Sequence, residues 1–229
     1  SVQIDVSGDY IFLSNRSSGF QIFDTKLIKT ESLWTNNGGD NLWSNSSNWK
    51  DNLIPDSSED VTILSGQSIT FDSSSDVINN LSIVSGGTFT VNSDARLLVN
   101  GELTNAGTLT INSTSSDFGA ILISASSEAS GLITYNRWVN SVSNGSGWDL
   151  IGSPVGGLSI SSFASTNDTP LATGGESGSN QYAIGTYDNT QSSTAAAWSN
   201  YTSDGAGSST NISAAGNFTK GKGYQMATD

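Results

Sequence analysis

Four carboxylates crowd one short stretch: Asp51, Asp56, Glu59 and Asp60, with Asp117 and Glu128 further along. Two carboxyl groups flanking a glycosidic bond can cleave it by acid/base chemistry. Chain spacing alone does not place two of them across a cleft, and acidic residues in a loop before a strand are ordinarily solvated. Tyr135 and Arg137 form a second candidate pair. Two residues apart on a strand they share a face, and a Tyr or Arg next to stacked coils is where a polysaccharide lyase would keep its proton acceptor. Few basic residues are at hand to neutralise a uronate, so a strand-edge role competes with that reading. Asp40, Asn45 and Asp51, with Asn36, supply hard oxygens suited to a structural Ca²⁺, in a spacing that matches no EF-hand loop. Trp34, Trp43 and Trp49 punctuate the same polar stretch. They are read either as a plug folded onto the end of a core or as a platform on which sugars stack.

Other chemistries are closed. The chain has no His and no Cys. Thiolate zinc sites, cysteine nucleophiles, disulfides, His ligation and Ser-His-Asp catalysis are therefore excluded. Formal net charge is −13 with only eight Lys and Arg. Neither nucleic acid nor an anionic membrane suits such a surface, because both require clustered basic residues. No run is long and apolar enough to span a bilayer, so membrane insertion is not expected. No cofactor is called for. The low charge density, 13% charged residues in a Ser-, Thr-, Asn- and Gly-rich chain, suits a secreted or surface protein.

The elements that must carry these residues announce themselves by a repeat. Ser68-Ile69-Thr70-Phe71, Thr88-Phe89-Thr90-Val91 and Thr108-Leu109-Thr110-Ile111 recur every twenty residues. Val61-Thr62-Ile63 and Leu81-Ser82-Ile83 keep the same interval, with Leu103 expected in the place of Ile63 and Ile83. Val77-Ile78 is matched to Leu97-Leu98. Strand-type alternation at a fixed period means stacked coils. The fold predicted is all-β: a short right-handed parallel β-helix of about 20 residues per coil, followed by a β-sandwich-like module. Ile69, Phe89 and Leu109 should form one inward column, and Phe71, Val91 and Ile111 another. Gly86-Gly87, Gly101 and Gly107 fall at corners. Ser68, Thr88 and Thr108, and Thr70, Thr90 and Thr110, should face out as a hydroxyl grid. Such a grid could order water or bind ice, although Thr also favours exposed strands for its β propensity and three rungs make a small grid.

Three regions are expected. Residues 1–33 hold two or three short strands that cap the stack. Residues 34–134 are the Trp-rich entry and the β-helix. Residues 135–229 are the sandwich-like module, with strands from Tyr135 to Val139, around Trp148–Val155, Tyr182–Asp188, Ala197–Tyr201 and Gly223–Met226. Residues 164–181 and 202–216 read as loops, and no helix is expected. The Asn-x-Ser/Thr triplets at Asn15, Asn112, Asn144 and Asn211 are what chance gives in so Asn- and Ser-rich a chain. No signal peptide is visible at Ser1, which is expected to follow a removed leader or another module, and the full protein is expected to continue past Asp229.

Four stretches resemble the type IX secretion cargo proteins of Bacteroidota, of the flavobacterial surface kind. They are Trp43-Ser44-Asn45-Ser46-Ser47-Asn48-Trp49 with Ile54-Pro55 and Asp60-Val61-Thr62-Ile63; Leu103 to Ile111; Tyr135 to Val155; and Tyr187-Asp188 through Trp198-Ser199-Asn200-Tyr201 to Gly221-Lys222-Gly223-Tyr224. The resemblance implies an extracellular or outer-surface location, passage through the type IX machinery, and a separate sorting domain that these residues do not include. It implies no activity. The expected function is that of a non-enzymatic, adhesin-like recognition module with an extracellular glycan or protein as ligand. The alternative is a carbohydrate-binding accessory region of a secreted polysaccharide-degrading enzyme, using Trp34, Trp43 or Trp49.

Overall fold

In this computed structural model, residues 3–7, 10–15, 19–24, 32–142, 147–167, 173–174, 181–193, 197–205 and 209–228 are described, residues 3–24 and 173–174 as backbone. Asn144 and Ala195-Ala196 lie outside them. The chain divides into two compact units, 1–136 and 137–229.

The first unit opens with an antiparallel meander, β1 (Gln3–Ser7), β2 (Tyr10–Asn15) and β3 (Gly19–Asp24), paired in chain order. The coil stack then contributes three parallel sheets, about three turns in all. One holds β4 (Val61–Ile63), β7 (Leu81–Ile83), β10 (Leu103–Asn105) and β13 (Ser127–Ala129). The second holds β5 (Ser68–Phe71), β8 (Thr88–Val91), β11 (Thr108–Ile111) and β14 (Leu132–Tyr135). The third holds β6 (Asp76–Ile78), β9 (Arg96–Val99) and β12 (Ala120–Ile123). Ile69 pairs with Phe89, and Phe89 with Leu109, while Phe71, Val91 and Ile111 align beside them. Both inward columns are as expected, and Ile69, Phe71, Phe89 and Val91 are fully buried. One coil's side chain alone covers little; stacking like on like makes a continuous core out of short strands.

The stack also begins earlier than the repeat. Ser32 makes a parallel bridge to Val61 and Leu42 one to Thr70. The amide of Thr70 donates to Asn41 O, and that of Trp43 to Thr70 O. Residues 32–44 are therefore a coil before the first repeat, with Trp43 in the column of Phe71.

The period is not constant. Val61, Leu81, Leu103 and Ser127 share a register, so the steps grow from 20 to 22 to 24 residues. Two expected alignments shift as a result. Leu103 stands over Leu81, and the position over Ile83 belongs to Asn105. Val77 pairs with Leu98, and Ile78 with Val99. The inserted residues sit in corners. One precedes β9, between Val91 and Leu97, and one is at Gly101, pressed so close to the Asn80 side chain and Asn79 carbonyl that a Cβ has no room. Four more make the small excursion closed by the Ser113–Phe118 bridge.

Tyr135 closes β14 in the column of Ile111; the chain then leaves the strand, so no strand runs from Tyr135 to Val139. In the second unit, β15 (Asp149–Ile151), β19 (Tyr224–Met226), β17 (Gln181–Tyr187) and β16 (Thr173–Gly174) form an antiparallel sheet, with β18 (Trp198–Thr202) also on β17. A helix does occur: α1, Ile160–Thr166, N-capped by the Ser159 hydroxyl accepting from the Ser162 amide. It is a Ser-rich segment of seven residues with little intrinsic helix preference. Its Ile160 and Ala164, buried on one face, join Ile184, Tyr201, Phe218, Tyr224 and Met226 in a second core. Tertiary burial, not propensity, makes this helix.

Candidate functional site

The entry segment concentrates the residues singled out for binding. Trp34, Trp43 and Trp49 are 4%, 0% and 2% exposed. Trp49 packs edge-on to both Trp34 and Trp43, at 4.9 and 4.7 Å between centroids, and Trp43 packs edge-on to Phe71 at 5.1 Å. These contacts continue the Phe column to its end, and edge-to-face packing adds to what burial alone contributes. The indole N–H groups are matched too: that of Trp49 donates to Trp43 O, and that of Trp43 to Asp76 Oδ2. No ring presents a face on which a sugar could stack. The plug reading describes all three.

Asp40 and Asn45 do meet. Asp40 accepts from the Leu42 amide at 3.0 Å, from Asn48 Nδ2 at 2.6 Å and from Asn45 Nδ2 at 2.8 Å. Those bonds, the Leu42 amide foremost, hold its carboxyl below the usual carboxylate range. Asn45 turns its amide nitrogen to Asp40, and its oxygen accepts from the Ser47 amide. A Ca²⁺ would need those same oxygens, now engaged in shaping the loop. Asp51 lies one turn on, exposed, with φ 59°. Asn48 has no exposure and is the hub: it also donates to Leu42 O and accepts from the Gly38 amide. Neither the spacing nor the residue types single it out; its full burial does.

The remaining acids serve turns and corners. Asp56 accepts from the Ser58 amide and hydroxyl, and Glu59 from the Asp56 amide. The Ser58 hydroxyl and amide hold the Asp56 carboxyl low. Asp60 accepts from Asn79 and Asn80, Asn80 accepts from the Glu102 amide, and Glu102 accepts from the Ser126 hydroxyl. These residues occupy one corner position on successive coils, so the contacts make a polar rail along an edge of the stack. Asp117 stabilises the excursion through the Ser116 hydroxyl, and Glu128 is exposed on β13. Tyr135 stands in an inward column, whereas Arg137 lies outside any strand.

The outer face of the β5–β8–β11–β14 sheet carries two rows. Ser68, Thr88, Thr108 and Leu132 form one, and Thr70, Thr90, Thr110 and Thr134 the other. In the second unit three aromatics are open to solvent: Trp138 at 49%, Trp148 at 44% and Tyr187 at 46%. Tyr187 packs against Trp198 at 4.8 Å. Among the described residues no group of three or more metal-capable acids converges, and no helix is long and apolar enough to cross a membrane.

No match was found among curated proteins or among solved structures. One family model matches, over residues 33–228. It starts at the coil that carries Trp34 and runs through both units, so the match takes in the Trp plug, the stack and the following sheet. The chain belongs to the family described as Domain of unknown function (DUF8693).

Proposed function

We propose that this chain is a non-enzymatic recognition and spacer module of a secreted or cell-surface protein. The observation that carries the reading is how the acids are used. Among the described residues, the carboxyls with displaced acidity, Asp40, Asp56 and Asp188, are held low by local turn hydrogen bonds. A general acid needs the opposite displacement, upward toward neutral pH. The stack is filled by apolar columns and capped by its own tryptophans, which suits a stiff support. The extracellular setting and passage through type IX secretion rest on the sequence resemblance. The test is adhesion: beads coated with the chain should be retained on extracellular protein or glycan surfaces and should leave soluble polysaccharides at full length. Shortened polysaccharide chains would sink the reading.

A second reading, carbohydrate binding, is favoured by the open rings of Trp138, Trp148 and Tyr187. It relocates the sugar platform from the entry tryptophans to the second unit. Glycan-array binding lost in Trp148→Ala or Tyr187→Ala, and kept in a variant of the stack, would support it.

A further inference from the structure

The repeat that builds the core also builds a surface, and that surface has its own geometry. The strands β5, β8, β11 and β14 stack parallel and in register, so each outward side chain stands directly over its predecessor. Neighbouring strands are about 4.8 Å apart, and residues two apart along a strand are separated by about 6.7 Å. Ser68, Thr70, Thr88, Thr90, Thr108, Thr110 and Thr134 therefore set hydroxyls on a two-dimensional lattice. Among the described residues, none of these hydroxyls has a protein hydrogen-bond partner.

Two further observations keep the lattice open and regular. The turn on one margin passes through Gly66 and Gly86, at φ 80° and 83°, and its Gln67 side chain is tied down to the Leu64 amide and Trp34 O. The coil before β14 is four residues longer than those before it, yet Thr134 still pairs with Thr110. The extra length is diverted into the Ser113–Phe118 corner, and the second row gains a fourth rung that the twenty-residue period does not show. The other margin is an Asn row, in which Asn136 Nδ2 donates to Asn112 Oδ1 at 2.8 Å. The only charge in that row, Asp72, is engaged by the amide and hydroxyl of Ser44.

We propose that this face binds ice. Its methyl and hydroxyl groups repeat at intervals near those of the ice lattice, on a backbone fixed by the buried columns beneath. A β-branched side chain is stiff at χ1, so little freedom is lost when ordered water settles between the rows. A crystalline polysaccharide is the competing flat ligand. It is disfavoured because sugars are gripped by aromatic rings, and the aromatic residues on these strands, Phe71 and Phe89, point inward, as does Tyr135.

The test uses the full chain. Ice crystals grown in its solution should facet and stop growing over a measurable freezing gap, and labelled protein should enter growing ice instead of being swept ahead of it. Thr90→Lys, at the centre of the face, should abolish both effects. Thr104→Lys, outward on the neighbouring sheet, should leave them intact. Where Thr90→Lys does not fold, as judged by circular dichroism, the double variant Thr90→Val/Thr110→Val takes its place and should narrow the gap. Round crystals and exclusion from ice would overturn the proposal. So would equal loss in the Thr104 variant, or retention on insoluble cellulose without any effect on ice.

Discussion

The indole nitrogen of Trp43 lies 3.0 Å from the Asp76 carboxylate, donating to Oδ2 across 33 residues of chain. Asp76 occupies the register position of Leu97 in the next coil. An acid thus replaces an aliphatic residue where the capping tryptophan brings a polar atom into the core's end. Charged acceptors make the stronger hydrogen bonds. Trp43→Phe should lower stability by about 1–3 kcal/mol, most of it from leaving Asp76 with a lost donor. A double-mutant cycle with Asp76→Leu, followed by denaturant melts, measures the coupling. Additive losses would mean the pair contributes nothing jointly.

Glycines at the turn before the second sheet stack tightly. A Cβ on Gly107 would meet the carbonyl oxygens of Gly87 and Val84, and one on Gly131 the carbonyl of Gly107. Coil spacing is fixed by backbone hydrogen bonding, so the clash cannot be relieved without parting the strands. Gly107→Ala should therefore destabilise the stack by several kcal/mol. Gly156→Ala, with nothing within 4 Å of the added carbon, should be close to neutral. Thermal melts of the two variants give the comparison, and equal melting temperatures would refute the packing argument.

Asn105 is 1% exposed in a column otherwise held by Ile63 and Ile83. Its side chain donates to Leu132 O and accepts from the Gly107 amide. Asn105→Leu restores the apolar column yet removes the donor to Leu132 O and one of the two acceptors of the Gly107 amide, which keeps Ile83 O. The expected result is a loss of about 1–3 kcal/mol, since an unsatisfied buried group costs more than the added methyls return. A more stable Leu variant would show that the amide is dispensable.

Acid should loosen the cap. The Asp40 carboxyl titrates below its ordinary value of 3.8 in the folded protein. Its contribution is complete above that pH and is lost as pH falls through the lower folded value. Asp188, held at about 2 by Gln191 and Thr190, behaves alike in the second unit. Tryptophan fluorescence melts between pH 5 and pH 2 should show falling stability in the native chain. Asp40→Asn should start lower and fall less steeply. Parallel curves would remove Asp40 from the account.

The regular part of the stack is legible in the sequence. Ile69, Phe89 and Leu109 gave the inward column because their coils are equal in length. Leu103 is expected over Ile83, where Asn105 stands, for the converse reason: one residue inserted before β9 and one at Gly101 move the register, and a fixed period has no means of seeing an insertion in a corner. The Trp-rich entry favours the plug over the platform from sequence, because buried aromatics dominate core energetics, yet tryptophan suits both and burial is what separates them. Asp40 and Asn45 share a loop in the sequence, but that proximity says nothing of which amide atom points where. Helix α1 was hidden by its serines, which favour caps and turns over helix interiors.

The Ser113–Phe118 excursion separates chain length from surface pattern. Residues can be added at that corner while the rows on the sheet stay in phase, just as β14 stays aligned after a coil of 24 residues. Such a corner is where new loops can be grafted or lengthened without renegotiating the core. The stack can vary in what it displays at its edge and remain the same rod.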